Sequence, residues 1–264
     1  MAGVMTMHKR TARPLDLVMP LMAAALAIIV SEPALADTRE LRIDLPDPLP
    51  HVRVLTVLVG LHLLGLCFGL GGATMLDYWI LRWMRKGSLP AEIKSTFTFI
   101  STVVAIGLGL LWLSGLGFLA LYSLESPEKL GNPKLWAKIC IVSALTLNGM
   151  LIHVFVLPVV LRDMSRPILD GVSRSRIAIF LVSGALSAIS WYTAFALGIF
   201  RELNNGVSFN LLIVLWLTLT VAASLAASLL WMQLRDARKR KSAVTSAAAV
   251  DAIDEAKVER VVVS

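Results

Sequence analysis

Four ionisable side chains interrupt the long apolar stretches of this sequence, and their spacing repeats. His62 and Asp77 lie fifteen residues apart on one stretch, and Lys138 and His153 lie fifteen residues apart on another. An ionisable group inside a lipid bilayer is costly, so each of the four is a candidate for function. A histidine there can bind a haem iron or another metal, or it can carry a proton. If the two stretches are neighbouring helices, His62 can face Lys138 in one layer and Asp77 can face His153 in a second.

Each of these residues also has a structural interpretation that the sequence leaves open. His62 can bond to a hydroxyl or backbone group of an adjacent helix, and Lys138 can extend its ammonium group to the membrane surface. Asp77 can pair with Arg82, which follows it closely. Asn148 is a further polar candidate inside the membrane, on the same stretch as Lys138.

Small residues share a helical face with His62. At 100° per residue, Gly65, Gly69 and Ala73 all fall within about 60° of the histidine. Glycines four residues apart allow close approach between membrane helices. We therefore expect this face to meet another helix or a flat ligand rather than lipid.

A haem held jointly by His62 and His153 does not agree with the depths of the two residues. Counted from the basic residues that end each stretch, the two histidines differ in depth by about 16 Å at 1.5 Å per residue. We expect that a haem bound at His62 has a different second ligand, or none.

The elements that must position these residues are membrane-spanning helices. Hydrophobic residues make up 57% of the chain and charged residues 16%, and the apolar residues come in long blocks rather than in period-2 or period-3.6 stripes. About 20 apolar residues cross a bilayer as a helix. We predict an all-α bundle of five transmembrane helices within residues 54–234, over about 54–81, 95–122, 136–161, 177–200 and 208–231.

The first 53 residues precede this bundle. A basic start, a short apolar run and the sequence SEPALA ending at Ala36 predict a signal peptide over residues 1–36, cleaved after Ala36. An uncleaved signal anchor is the alternative. Residues 37–53 contain three prolines and predict an exported lead-in or loop rather than a long helix.

Lysine and arginine residues are more numerous in the loops after the first, third and fifth spans than in the others, so those loops are predicted to be cytoplasmic. The mature N-terminus is then periplasmic and the C-terminus cytoplasmic, in a bacterial inner membrane. Residues 235–264 form a cytoplasmic basic segment followed by a loose or weakly helical tail. The net charge of +7 sits at the ends of apolar blocks, which indicates the lipid bilayer as partner and not nucleic acid.

Three short segments carry a family resemblance. LHLLG with His62, LLWLSGLG at residues 110–117, and PKLWAKICIV with Lys138 resemble the HemJ-type membrane protoporphyrinogen oxidases over about residues 54–161. The resemblance implies a haem b cofactor, with His62 as haem ligand and Lys138 as a second site residue. The signal peptide, the proline-rich lead-in and the longer unit of spans four and five depart from that pattern and leave the substrate open. A bacterial membrane family of similar build is the alternative.

The sequence therefore indicates an integral membrane protein and leaves three functions open. The first is a haem-linked redox protein with His62 as axial ligand or proton carrier and Lys138 as its charged partner. The second is a non-catalytic scaffold or subunit that binds other membrane subunits, and the third is a small transporter or permease module. Whether the protein is an enzyme also stays open.

Overall fold

The computed structural model of this chain describes residues 41–43, 46, 51–87, 93–156, 158 and 173–262. The predicted signal peptide lies outside the described residues. Five helices within them are long and apolar enough to cross a membrane, which confirms the predicted all-α fold and is the architecture of an integral membrane protein. Their bounds are α1 Val54–Lys86, α2 Ile93–Glu125, α3 Pro133–Leu151, α4 Arg174–Ile199 and α5 Phe209–Val262.

A small ladder precedes α1. Strand β1, Arg42–Ile43, pairs antiparallel with strand β2, Val52–Arg53. The backbone N–H of Leu41 donates to a carboxylate oxygen of Glu125 at 2.6 Å, so this ladder lies against the end of α2. The described residues of the lead-in thus form a short antiparallel ladder beside α1.

Sequence signals at the helix ends have the expected structural effect. Asn132 caps α3, because its side-chain oxygen accepts from the backbone N–H of Lys134 at 3.0 Å. Pro133 occupies the first turn of α3, where a missing N–H costs nothing. At the end of α1, Gly87 has φ of 86°, a left-handed conformation that glycine adopts without strain.

Helices α1 and α2 pack along each other at backbone contact. A Cβ atom added to Gly107 of α2 would lie 2.3 Å from the backbone nitrogen of Gly69 and 2.8 Å from the carbonyl oxygen of Gly65. The small-residue face of α1 therefore meets a helix, which is the first of the two partners that the sequence left open.

The remaining helices complete the bundle. α4 packs against α3 on one side and α5 on the other, and it also contacts α1. One buried cluster joins four helices through Ala73, Leu111, Leu145 and Trp191. α1 and α3 do not pack extensively against each other in the described residues, so their polar side chains face a shared interior rather than a tight interface.

The end of α3 departs from α geometry. A π-helical turn runs over Ile152–Val156 and contains His153. Pro158 follows it and cannot donate a backbone hydrogen bond to Val154, which accounts for a disturbance of the helix at this point. Turns of this kind are frequent at functional sites.

The last helix is longer than the predicted span. α5 continues to Val262, so the tail is a continuation of the helix rather than a loose segment. Alanine, glutamate, lysine and arginine, which are abundant after residue 235, are strong helix formers and account for this extension.

Candidate functional site

The polar residues of the bundle interior fall into two layers. The outer layer is the half of the bundle that holds the start of α1, and it contains His62, Ser114 and Lys138. The inner layer holds Asp77 and His153, about fifteen residues further along α1 and α3.

In the outer layer, His62 forms a hydrogen bond that fixes the state of its ring. Its Nδ1 lies 2.8 Å from the hydroxyl oxygen of Ser114 on α2. The same hydroxyl lies 2.7 Å from the carbonyl oxygen of Leu110, which can only accept. Both contacts are satisfied only when Ser114 donates to Leu110 and His62 Nδ1–H donates to Ser114. In neutral His62, Nε2 then carries the free lone pair.

Two further side chains complete the surroundings of His62. The Phe118 ring makes an edge contact with the imidazole, with centroids 5.4 Å apart and planes at 63°. Lys138 of α3 is near enough for its charge to act on His62. Among the residues that the structure describes, Lys138 forms no hydrogen bond or ion pair. The charge of Lys138 thus reaches His62 without a hydrogen bond between the two side chains.

The residues of this outer layer can be compared with what a haem requires. An axial histidine typically donates its Nδ1–H to a nearby oxygen and leaves Nε2 for the iron, which is the arrangement of His62 and Ser114. The propionate groups of a haem are anionic, and Lys138 supplies a half-buried cation that forms no ion pair with another described residue. The donor set fits a haem. The glycine face of α1 is closed by α2 and is not where a flat ring could lie.

In the inner layer, Asp77 and His153 line one cavity of about 400 Å³. All five helices contribute to its wall, and most of the lining side chains are apolar. Within the described part of the chain, neither Asp77 nor His153 forms a hydrogen bond or ion pair. The two side chains line the same cavity although α1 and α3 do not pack extensively against each other in the described residues.

Trp191 forms part of the wall of this cavity. It is 3% exposed, and a Cβ added to Gly69 would lie 2.3 Å from its ring. The position of Trp191 thus depends on the absence of a side chain at Gly69.

The side-chain amide of Asn148, the remaining polar candidate, is hydrogen-bonded to the neighbouring helix α4. Its amide nitrogen donates to the carbonyl oxygen of Ser183 at 2.9 Å, and the Ser183 hydroxyl donates to its amide oxygen at 2.7 Å. These two bonds connect α3 to α4 within the buried interior.

One buried residue was absent from the sequence candidates. Lys134 is 4% exposed, and its Nζ donates to the carbonyl oxygen of Phe200 and to Asn204 at 3.1 Å. A lysine two residues into a helix after an Asn-Pro pair was counted only as a loop charge. Its partners lie about 70 residues away, and no local signal indicates them.

Within the described ranges, no cluster of three or more histidine, cysteine, aspartate or glutamate side chains is arranged to hold a metal ion. A haem iron needs only one or two protein ligands, so the absence of such a cluster does not bear on His62. Comparisons with protein-family models, curated proteins and solved structures found no match to this chain.

Proposed function

We propose that this protein is a haem-linked redox protein of the bacterial inner membrane, in which His62 would hold the haem iron. The observation that carries the proposal is the hydrogen bond from His62 Nδ1 to Ser114, whose own hydrogen is directed to Leu110. This bond orients the ring and leaves Nε2 available for an iron.

Each residue of the outer layer has a defined part in this proposal. His62 would bind the haem iron, and Ser114 orients the imidazole of His62 through their hydrogen bond. The edge contact of Phe118 limits rotation of the same ring. Lys138 would hold an anionic propionate of the haem, which would offset the cost of a lysine charge inside the membrane. When bound, a haem supplies one-electron chemistry that the side chains of this chain do not provide.

The test is the haem content of purified protein, compared between the native chain and two variants. His62→Ala removes the ligand and should abolish the bound haem. Lys138→Met keeps the length of the side chain, removes its charge and should weaken haem binding without abolishing it. Equal haem content in all three proteins would contradict the proposal.

A scaffold role is the second candidate, and a specific observation supports it. The polar groups of Asn148, Ser183 and Lys134 are all paired across helices, as expected for residues that only hold a bundle together. On this alternative, His62→Ala would reduce folding yield or stability, and no cofactor would be present in either protein. Measuring thermal unfolding together with haem content separates the two functions.

A further inference from the structure

The cavity of the inner layer is separate from the proposed haem ligand and has its own chemistry. We propose, as a deepening of the haem-linked function, that this cavity binds the head group of a lipid-soluble quinone or quinol. Asp77 and His153 are its polar contacts, and the apolar wall holds the ring.

The geometry supplies the two contacts that such a head group needs. Asp77 comes from α1 and His153 from α3, and both side chains line the one cavity. A quinone carbonyl accepts a hydrogen bond from the imidazole, and a quinol hydroxyl donates one to the carboxylate. Neither side chain forms a hydrogen bond to another described residue, so both can bond to a ligand.

The wall of the cavity suits an aromatic ring that carries few polar groups. Phe97, Phe180 and Trp191 are buried aromatic residues of the wall. Among the described lining residues, Ser101 and Ser187 are the ones that carry a hydroxyl group. A volume of about 400 Å³ lies within the range of small-molecule sites, which are mostly apolar with a few placed polar groups.

Other ligand classes fit this cavity less well. A haem or an anionic lipid head group needs a cation, and the described lining contains no lysine or arginine but does contain Asp77. A calcium-like cation takes six to eight oxygen ligands, far more than the lining offers. A hydrophilic solute would leave its polar groups unpaired against an apolar wall, at a cost of a few kcal/mol per group.

The position of His153 on a π-helical turn supports a ligand contact at this point. The turn over Ile152–Val156 breaks the regular sequence of α3 and sets His153 on the cavity wall. Turns of this kind are frequent at functional sites, and this one contains a residue that lines the cavity.

The experiment uses the purified full chain in lipid nanodiscs and titrates it with a short-chain ubiquinone, followed by quenching of tryptophan fluorescence and by thermal shift. We expect saturable binding by the native protein and by His62→Ala. Asp77→Leu and His153→Leu should each weaken binding about tenfold, the effect of losing one hydrogen bond to a charged or strongly polar group.

A variant that fills the cavity tests the site independently, in case Asp77→Leu or His153→Leu fails to fold. A Cβ added to Gly184 meets nothing within 4 Å, and this residue lines the cavity, so Gly184→Leu should fold and exclude the quinone. Gly198→Leu on the same helix also has open space but does not line the cavity, and it should bind normally.

Two results would overturn the quinone site. One is quenching that rises without saturation and is equal in native, Asp77→Leu and Gly184→Leu proteins, which is simple partition into lipid. The other is binding of tetraphenylphosphonium, an apolar cation, in place of the quinone. Quinone binding by a protein that never contains haem would leave this inference standing and remove the proposed function; haem without quinone binding would do the reverse.

Discussion

At the scale of single residues, the hydrogen of one serine hydroxyl decides the chemistry of His62. Ser114 contacts both the imidazole and the carbonyl oxygen of Leu110, and its single hydrogen satisfies both only when it is given to the carbonyl. The sequence identifies His62 as a polar residue inside the membrane but does not give its partner on α2. It could not give the rotation of α2 about its axis, which depends on the contact between Gly107 and Gly69.

Removing the Ser114 hydroxyl should weaken haem binding without removing the ligand. Loss of a partner that orients a metal-bound histidine typically costs ten- to a hundredfold in affinity, so we expect Ser114→Ala to show about that loss. Titration of haem into the apoprotein, followed by absorbance, measures it. Ser123→Ala on the same helix is the control, since its hydroxyl bonds only to Ala120. Identical affinities for the two variants would remove Ser114 from the site.

Asn148 is expected to stabilise the fold and to have no part in cofactor binding. Asn148→Leu leaves the Ser183 hydroxyl and carbonyl without their partner, and it should lower the free energy of unfolding by about 1–2 kcal/mol. The double variant with Ser183→Ala should recover part of this loss, because one unpaired group is then gone. Unfolding in a denaturing detergent measures both. Loss of haem or quinone binding at unchanged stability would contradict this structural role.

At the scale of elements, the contact between α1 and α2 positions both layers. The glycine spacing on α1 predicted close approach, and the structure shows it. The partner glycine on α2 could not be found from α1 alone, because a pairing between helices depends on the tertiary arrangement. The two inner-layer residues were found by equal spacing along α1 and α3, whereas the cavity between them follows from the packing of all five helices.

A methyl group at Gly107 should separate α1 from α2. The added Cβ would lie 2.3 Å from a backbone nitrogen, which cannot rotate away as a side chain can. We expect Gly107→Ala to lower the free energy of unfolding by about 1–3 kcal/mol, as overpacking does. Gly71→Ala, where the added Cβ meets nothing within 4 Å, is the matched control and should leave the thermal midpoint near that of the native protein. Equal midpoints for the two variants would contradict the observed backbone contact.

At the scale of the whole molecule, the number of spans follows from the sequence because lipid leaves few alternatives. A backbone in hydrocarbon must satisfy its own hydrogen bonds, so each long apolar block forms a helix. The end of the last helix could not be predicted in the same way, because outside the membrane the length of a helix depends on helix propensity and not on bilayer thickness. Residues after 235 continue α5 for this reason.

The distribution of basic residues predicts a cytoplasmic C-terminus. Fluorescent protein fused after Ser264 should therefore fluoresce in bacterial cells, since it folds in the cytoplasm. Alkaline phosphatase inserted in the loop between α2 and α3 should be active, since that loop is predicted to be periplasmic. The opposite pattern of the two reporters would reverse the assigned orientation and would place the haem ligand in the cytoplasmic half.

The most direct test of the central claim is the absorption spectrum of the purified full chain, oxidised and then reduced with dithionite. The account predicts a Soret band that shifts and sharpens on reduction, and that is absent from His62→Ala protein folded to the same extent. A folded protein without colour, expressed with iron and haem precursors supplied, would contradict the haem-linked function and would return His62 to the role of a packing residue.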